Sequence, residues 1–190
     1  MVLFSEMFVA ELIGIPVVDR LQEPFGEVRD IIIAVGEAFP RVTGLYIKPR
    51  DNRDAKVLLL PEIDLIGRQF VVTKSVGDRV VLTGLHSEDV LLARDVIDQQ
   101  SVDTDGARVI RVNDLKLAKV DQEVRLIAAD VGLRGMLRRL KLLGLFDLFY
   151  QLFGRRVADT LIGWDHVESF KTGRTGGSIT IPRRHISELH

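Results

Sequence analysis

The chain has 190 residues, 46% of them hydrophobic and 28% charged, a balance that belongs to folded globular chains and excludes the disordered class. Its 26 Lys and Arg against 27 Asp and Glu leave a formal net charge of −1, which argues against a nucleic-acid or membrane-surface binder as a whole. The absence of cysteine removes disulfides, thiol nucleophiles and cysteine zinc sites, and fits a reducing compartment.

In chain order, "MVLFSEMFVAELIG" carries Glu6 and Glu11 and no positively charged leader, unlike a signal peptide. No stretch reaches the roughly 20 uninterrupted apolar residues of a membrane-spanning helix, so the expected location is cytoplasmic, with membrane association only through a parent or partner protein. Short Val- and Ile-rich runs follow at Val17–Val18, Gly26–Ile33, Val42–Ile47, Val57–Leu60 and Phe70–Thr73. They are bounded by Gly, Pro, Asp and Asn, as strands and their turns require, and "RDNRD" (50–54) is a polar turn. Five or six short strands in about 75 residues predict a small closed or partly closed antiparallel barrel, because closure removes exposed edges.

The pattern then repeats. "ELIGIPVVDRLQEPFGEVRDIII" from Glu11 aligns without a gap with "DVIDQQSVDTDGARVIRVNDLKL" from Asp95. Ile13 meets Ile97, Val18 meets Val102, Asp19 meets Asp103, Val28 meets Val112 and Asp30 meets Asp114. "LLPEIDLI" (59–66) matches "IGWDHVES" (162–169), which sets Trp164 beside Pro61. The expected organisation is therefore mainly β: a first unit over 1–84, a second over 85–172, and a linker over 173–190 into a further domain. Within the second unit, "DTDG" (103–106) raises the question of a metal loop. The first copy has Asp19, Arg20, Leu21 and Gln22 there, and Arg111 and Val112 stand where a chelating loop needs an acid. A hairpin turn fits better. Asp19, Asp30, Asp103 and Asp114 are read as turn-forming and strand-end hydrogen-bonding residues.

Copy two also carries an insertion, 131–156. Leu133, Met136, Leu137 and Leu140 fall at i, i+3, i+4 and i+7, one face of an α-helix, with Arg138, Arg139 and Lys141 in its last turn. Gly144 is placed as the C-terminal cap. Leu145, Leu148, Phe149 and Leu152 repeat the spacing in a second helix. The eight apolar residues form the candidate partner interface. Three uses stay open: a cap over a barrel end, a homodimer contact, or a basic amphipathic surface against a membrane.

No catalytic, metal or cofactor constellation emerges. His86, His166, His185 and His190 are scattered, without the spacing of a zinc helix. "GRTGGS" lacks the lysine of a phosphate loop, and Ser75, Ser87 and Ser178 have no nucleophile-elbow setting. Trp164 reads as a core or hinge residue.

The repeated motifs, "ELIGIPVVDRLQEPFGEVRDIII", "VTGLYIKP" and "LLPEIDLIG", resemble the PRC-barrel family, named from the cytosolic domain of the photosynthetic reaction-centre H subunit. The second series, "DVIDQQSVDTDGARVIRVNDL" through "LIGWDHVESF" to "ISELH", resembles the leading segment of MgtE-like magnesium transporters. In those proteins PRC-barrel units precede a helical MgtE N-terminal domain and a pair of CBS domains. The resemblance implies a non-enzymatic regulatory or scaffolding role near divalent-metal transport, with those domains as partners. It assigns no metal residue here. An alternative from another class is a ribosome- or RNA-assembly module of the RimM type, which also carries a PRC barrel. The near-neutral charge speaks against nucleic acid.

Overall fold

Residues 24–34, PFGEVRDIIIA, are rich in β-branched side chains and buried continuously from Asp30 to Ile33, and they form the longest described strand. The computed structural model describes residues 2–51, 54–103, 108–144 and 160–168. In chain order the elements are β1 (Glu6–Phe8), α1 (Val9–Leu12), β2 (Pro16–Val18), β3 (Pro24–Ala34), β4 (Arg41–Pro49), β5 (Lys56–Leu59), β6 (Ile63–Ile66) and β7 (Val71–Thr73). After β8 (Val90–Leu91) comes a π-helical turn, Leu92–Val96, then β9 (Gln100–Asp103), β10 (Arg108–Arg111), β11 (Asp114–Val120) and β12 (Glu123–Asp130). α2 (Leu133–Arg139), β13 (Leu161–Gly163) and β14 (Val167–Glu168) follow, with 3-10 turns at Leu60–Glu62, Gly77–Arg79 and Trp164–His166.

The fold is mainly β, with a curled, half-barrel sheet. Its strands run β1-β11-β12-β4-β3-β2-β7-β6, with β13 on β12, β5 on β4 and β8 on β3. β10, β9 and β14 make a separate three-stranded sheet. Pairing crosses residue 84 in both directions. β1, from the first half, lies on β11 of the second; β8, from the second, lies on β3 of the first. One apolar core runs through both halves, from Phe4, Val28, Ile31 and Leu45 to Val112, Leu115, Leu126 and Trp164. The N-terminal arm also touches the far end of the sheet path, where the Leu3 N–H donates to the Ile66 carbonyl at 3.0 Å.

Backbone pairing recurs at an offset of 84. Val17 faces Gly26 and Ser101 faces Ile110; Ile31 faces Leu45 and Leu115 faces Ala129. The Gly14 N–H donates to the Val28 carbonyl at 2.8 Å, and the Asp98 N–H to the Val112 carbonyl at 2.8 Å. Gly14 and Asp98 both hold a left-handed backbone, φ 83° and 69°; one copy uses glycine and the other uses aspartate, a side chain that tolerates that region. Gly44 faces Leu59, whereas Ala128, 84 residues on, faces Gly163, which is 104 beyond Leu59; the connection in the second copy is 20 residues longer. The 3-10 turns correct one pairing made from the sequence. Ile63 closes its turn on Leu60 and Val167 closes on Trp164, so Trp164 corresponds to Leu60 and not to Pro61.

The copies diverge where the longer connection begins. β4 continues to Pro49 and lies so close along β3 that a Cβ on Gly26 would stand 2.5 Å from the Lys48 carbonyl oxygen. β12 stops at Asp130, the counterpart of Tyr46, because the chain turns off into α2. Among the described residues β10 therefore has no β12 alongside it and pairs with β9 alone. Asp103 faces Arg108 across that antiparallel pair, and the rest of the predicted turn, 104–106, lies outside the described residues.

Candidate functional site

α2 forms from LRGMLRR, a stretch rich in helix-favouring Leu, Met and Arg, with Arg138 and Arg139 at its C-terminal end where positive charge suits the helix dipole. Its start is held by the Gly132 N–H, which donates to Asp130 Oδ1 at 2.9 Å. The chain breaks from the helix at Lys141, φ 56°, three residues before Gly144, where the sequence placed the cap. The second predicted helix, with Leu145, Leu148, Phe149 and Leu152, lies outside the described residues. Of the other four apolar residues, Leu133 and Leu140 are 45% and 52% exposed, and Met136 and Leu137 are half-buried. The buried face of α2 consists of Gly135 and Arg138.

Arg138 was read from the sequence as a dipole-complementing charge; its side chain instead enters a buried cluster. Arg138 Nη1 donates to Asp114 Oδ2 at 3.0 Å and to Asp130 Oδ2 at 3.2 Å. Both aspartates are fully buried. The guanidinium carbon sits 3.3 Å from the centre of the Phe8 ring, a cation–π stack on the N-terminal arm. Gly135 permits the approach, since a Cβ there would lie 2.8 Å from Asp130 Oδ2. The other oxygen of Asp114 accepts the N–H of Leu115 at 2.8 Å and of Ala10, in α1, at 3.1 Å. Burial pushes the Asp114 carboxyl above its ordinary value, with Arg138 and the two backbone N–H groups pulling the other way.

The counterpart in the first copy is Asp30 at β3. Asp30 Oδ1 accepts the N–H of Ala93 at 2.7 Å and of Ile31 at 2.8 Å, and Oδ2 accepts that of Arg94 at 3.0 Å. The π-helical turn is thus capped by the other half, as α1 is. The adjacent guanidinium, Arg94, is engaged by Asp95 through Nε at 2.7 Å and Nη2 at 2.8 Å. Burial raises the Asp30 carboxyl to about 6.

Asp19 does what the sequence assigned to it. Oδ1 accepts the N–H of Leu21 at 2.8 Å and of Glu23 at 3.0 Å, and Oδ2 that of Gly77 at 2.9 Å. Burial raises its carboxyl, and these three N–H groups outweigh burial and hold it below its ordinary value. Trp164 is buried in the core.

A second feature lies where the two halves meet edge to edge. The Leu126 N–H donates to the Pro40 carbonyl at 2.9 Å, and Arg125 Nη1 reaches Glu37 Oε2 at 2.5 Å and the Phe39 carbonyl at 2.9 Å. Beside this seam is an open groove of about 700 Å³ lined by Phe39, Val120, Asp121, Glu123, Arg125 and Ile127. Among the described residues no group of three or more His, Asp or Glu is placed to hold a metal ion, and no helix is long and apolar enough to cross a membrane.

Asp30 and Asp114 were singled out in the sequence, but their partners were not. Ala10, Ala93 and Arg94 use backbone N–H groups, which leave no trace in residue type, and Phe8 and Asp130 look like ordinary strand residues. A basic residue on the small-residue face of α2, beside Gly135, was the available signal for Arg138. No protein-family model matches the chain, and no curated protein matches it significantly.

Proposed function

We propose that the chain is a non-enzymatic scaffolding and regulatory module, built from two duplicated PRC-barrel units, within an MgtE-like protein linked to magnesium or other divalent-metal transport. The observation that carries this reading is the recurrence of the same backbone hydrogen bonds 84 residues apart, with each copy capping a helical turn of the other. That exchange fuses the copies into one body. A rigid double unit suits a part that positions other domains. The motif resemblance supplies the family and the setting. Metal sensing belongs, on this reading, to helical and CBS domains of the same protein, and the exposed leucines of α2, Leu133 and Leu140, meet those domains or a second copy.

The test is calorimetric titration of the purified chain, first with magnesium, manganese and calcium, then with the helical and CBS domains of its parent protein. Saturable binding of the domains, abolished by Leu133→Glu with Leu140→Glu, is the expected result, with no saturable response to the metals. Tight metal binding by this chain alone, or indifference to the domains, would replace the reading.

A further inference from the structure

Three chain segments that are remote in sequence converge on Arg138: the N-terminal arm through Phe8, strand β11 through Asp114, and the end of β12 through Asp130. Among the described residues the first copy has no equivalent. Asp30 is capped by backbone N–H groups alone, its strand neighbour across β4 is Tyr46 where copy two has Asp130, and the residue supplying the cation in copy two comes from the longer connection. The extra carboxylate and the guanidinium thus occur together, and only beside α2.

Asp114 ties these parts into one arrangement. One carboxylate oxygen caps α1 through Ala10, and the other receives Arg138. Withdrawing α2 would leave Asp114 and Asp130 buried without a cation, a state far more costly than a solvated pair. It would also uncover the Phe8 ring, which the guanidinium covers. Conversely, lifting the arm removes the α1 cap and the aromatic face and exposes the cluster to water. Each docking event therefore favours the other, and the coupling is reciprocal by thermodynamic necessity.

We propose that Arg138 is a latch that makes α2 and the N-terminal arm, residues 2–12, a single cooperative unit, docking on and leaving the second-half sheet together. The latch links a helix with an exposed leucine face to the arm that spans both ends of the main sheet, so a partner that draws α2 outward also releases the arm. This inference rests on the cluster's geometry and is independent of the proposed function.

Hydrogen exchange on the intact chain tests it without any substitution. Across a series of low urea concentrations, residues 6–12 and 133–139 should exchange through one opening, with a common free energy and a common dependence on urea. Two distinct openings would overturn the latch. Substitutions then probe reciprocity. Phe8→Ala should raise exchange in 133–139, and Arg138→Gln should raise it in 6–12, each about tenfold, with β3 amides unchanged. Arg138→Lys, which keeps the charge but loses the planar stack, should fall between Gln and the native residue. If each substitution loosens only its own segment, the latch is refuted; should Arg138→Gln not fold, the urea series and Phe8→Ala decide.

Discussion

Asp30 and Asp114 stand 84 residues apart and cap each other's halves: Asp30 accepts the N–H of Ala93 at 2.7 Å, and Asp114 accepts that of Ala10 at 3.1 Å. The geometry is shared and the electrostatics are not. Asp114 has a guanidinium 3.0 Å away, whereas the cation nearest Asp30 is taken up by Asp95. Burial raises both carboxyls, and only at Asp114 does a guanidinium pull the other way.

For Asp30 the consequence is a stability that falls as pH rises. Its carboxyl is raised from 3.8 to about 6 by burial, so between those values the native state keeps a proton that the unfolded chain releases. Stability from this group is fully present below about 4 and is lost as pH climbs through 6. Asp30→Asn, neutral at every pH, should therefore gain on the native chain by up to about 3 kcal/mol between pH 4 and pH 7.5. Urea unfolding of both chains across that range measures the difference. A gap between them that does not change with pH would refute the reading.

At Asp114 the ion-pair geometry decides, because its carboxylate has a buried guanidinium partner that Asp30 lacks. Removing this charge takes a carboxylate partner from Arg138, only 7% exposed in its side chain, and the expected loss is about 3 kcal/mol at neutral pH. Denaturation midpoints at pH 7 compare the two variants directly. The prediction is that Asn costs more at position 114 than at position 30, where the amide gives up the acceptor for the Arg94 N–H but strands no buried cation.

Much of the fold was legible because strands declare themselves through side chains. The Val and Ile runs at 17–18, 26–33 and 42–47 lie within β2, β3 and β4, and the run at 57–60 overlaps β5 in all but Leu60. What could not be read was partnership. β1 and β8 are only three and two residues long, too short to show a period, yet each carries a pairing that crosses residue 84. The π-helical turn at Leu92–Val96 is likewise shorter than any periodic signal. On α2 two buried carboxylates hold the arginine, and Gly135 lets the helix come close, so Leu133 and Leu140 are turned toward solvent.

Gly26 offers a check on why the copies differ. With a Cβ 2.5 Å from the Lys48 carbonyl oxygen and 3.2 Å from the Pro49 Cα, the backbone of β4 must shift to admit any side chain. Gly26→Ala should cost about 2 kcal/mol. The counterpart is Ile110, a large side chain, accommodated because β12 does not extend alongside β10. Thermal melting of Gly26→Ala should show a clear fall in Tm; an unchanged Tm would mean that β4 does not approach β3 so closely.

The orientation of α2 can be checked against the core by a matched pair of truncations. Leu117, on β11, is fully buried, and Leu117→Ala should cost 2–5 kcal/mol, on the order found for large-to-small changes in packed cores. Leu140 has the same side chain at 52% exposure, so Leu140→Ala should stay within about 0.5 kcal/mol. Chemical denaturation of both variants gives the ratio. The helix faces outward because of the Arg138 cluster, so a large loss at Leu140 would show that its leucines are the buried face after all. That result would also remove Arg138 from the interior, and with it the physical basis for coupling α2 to the arm.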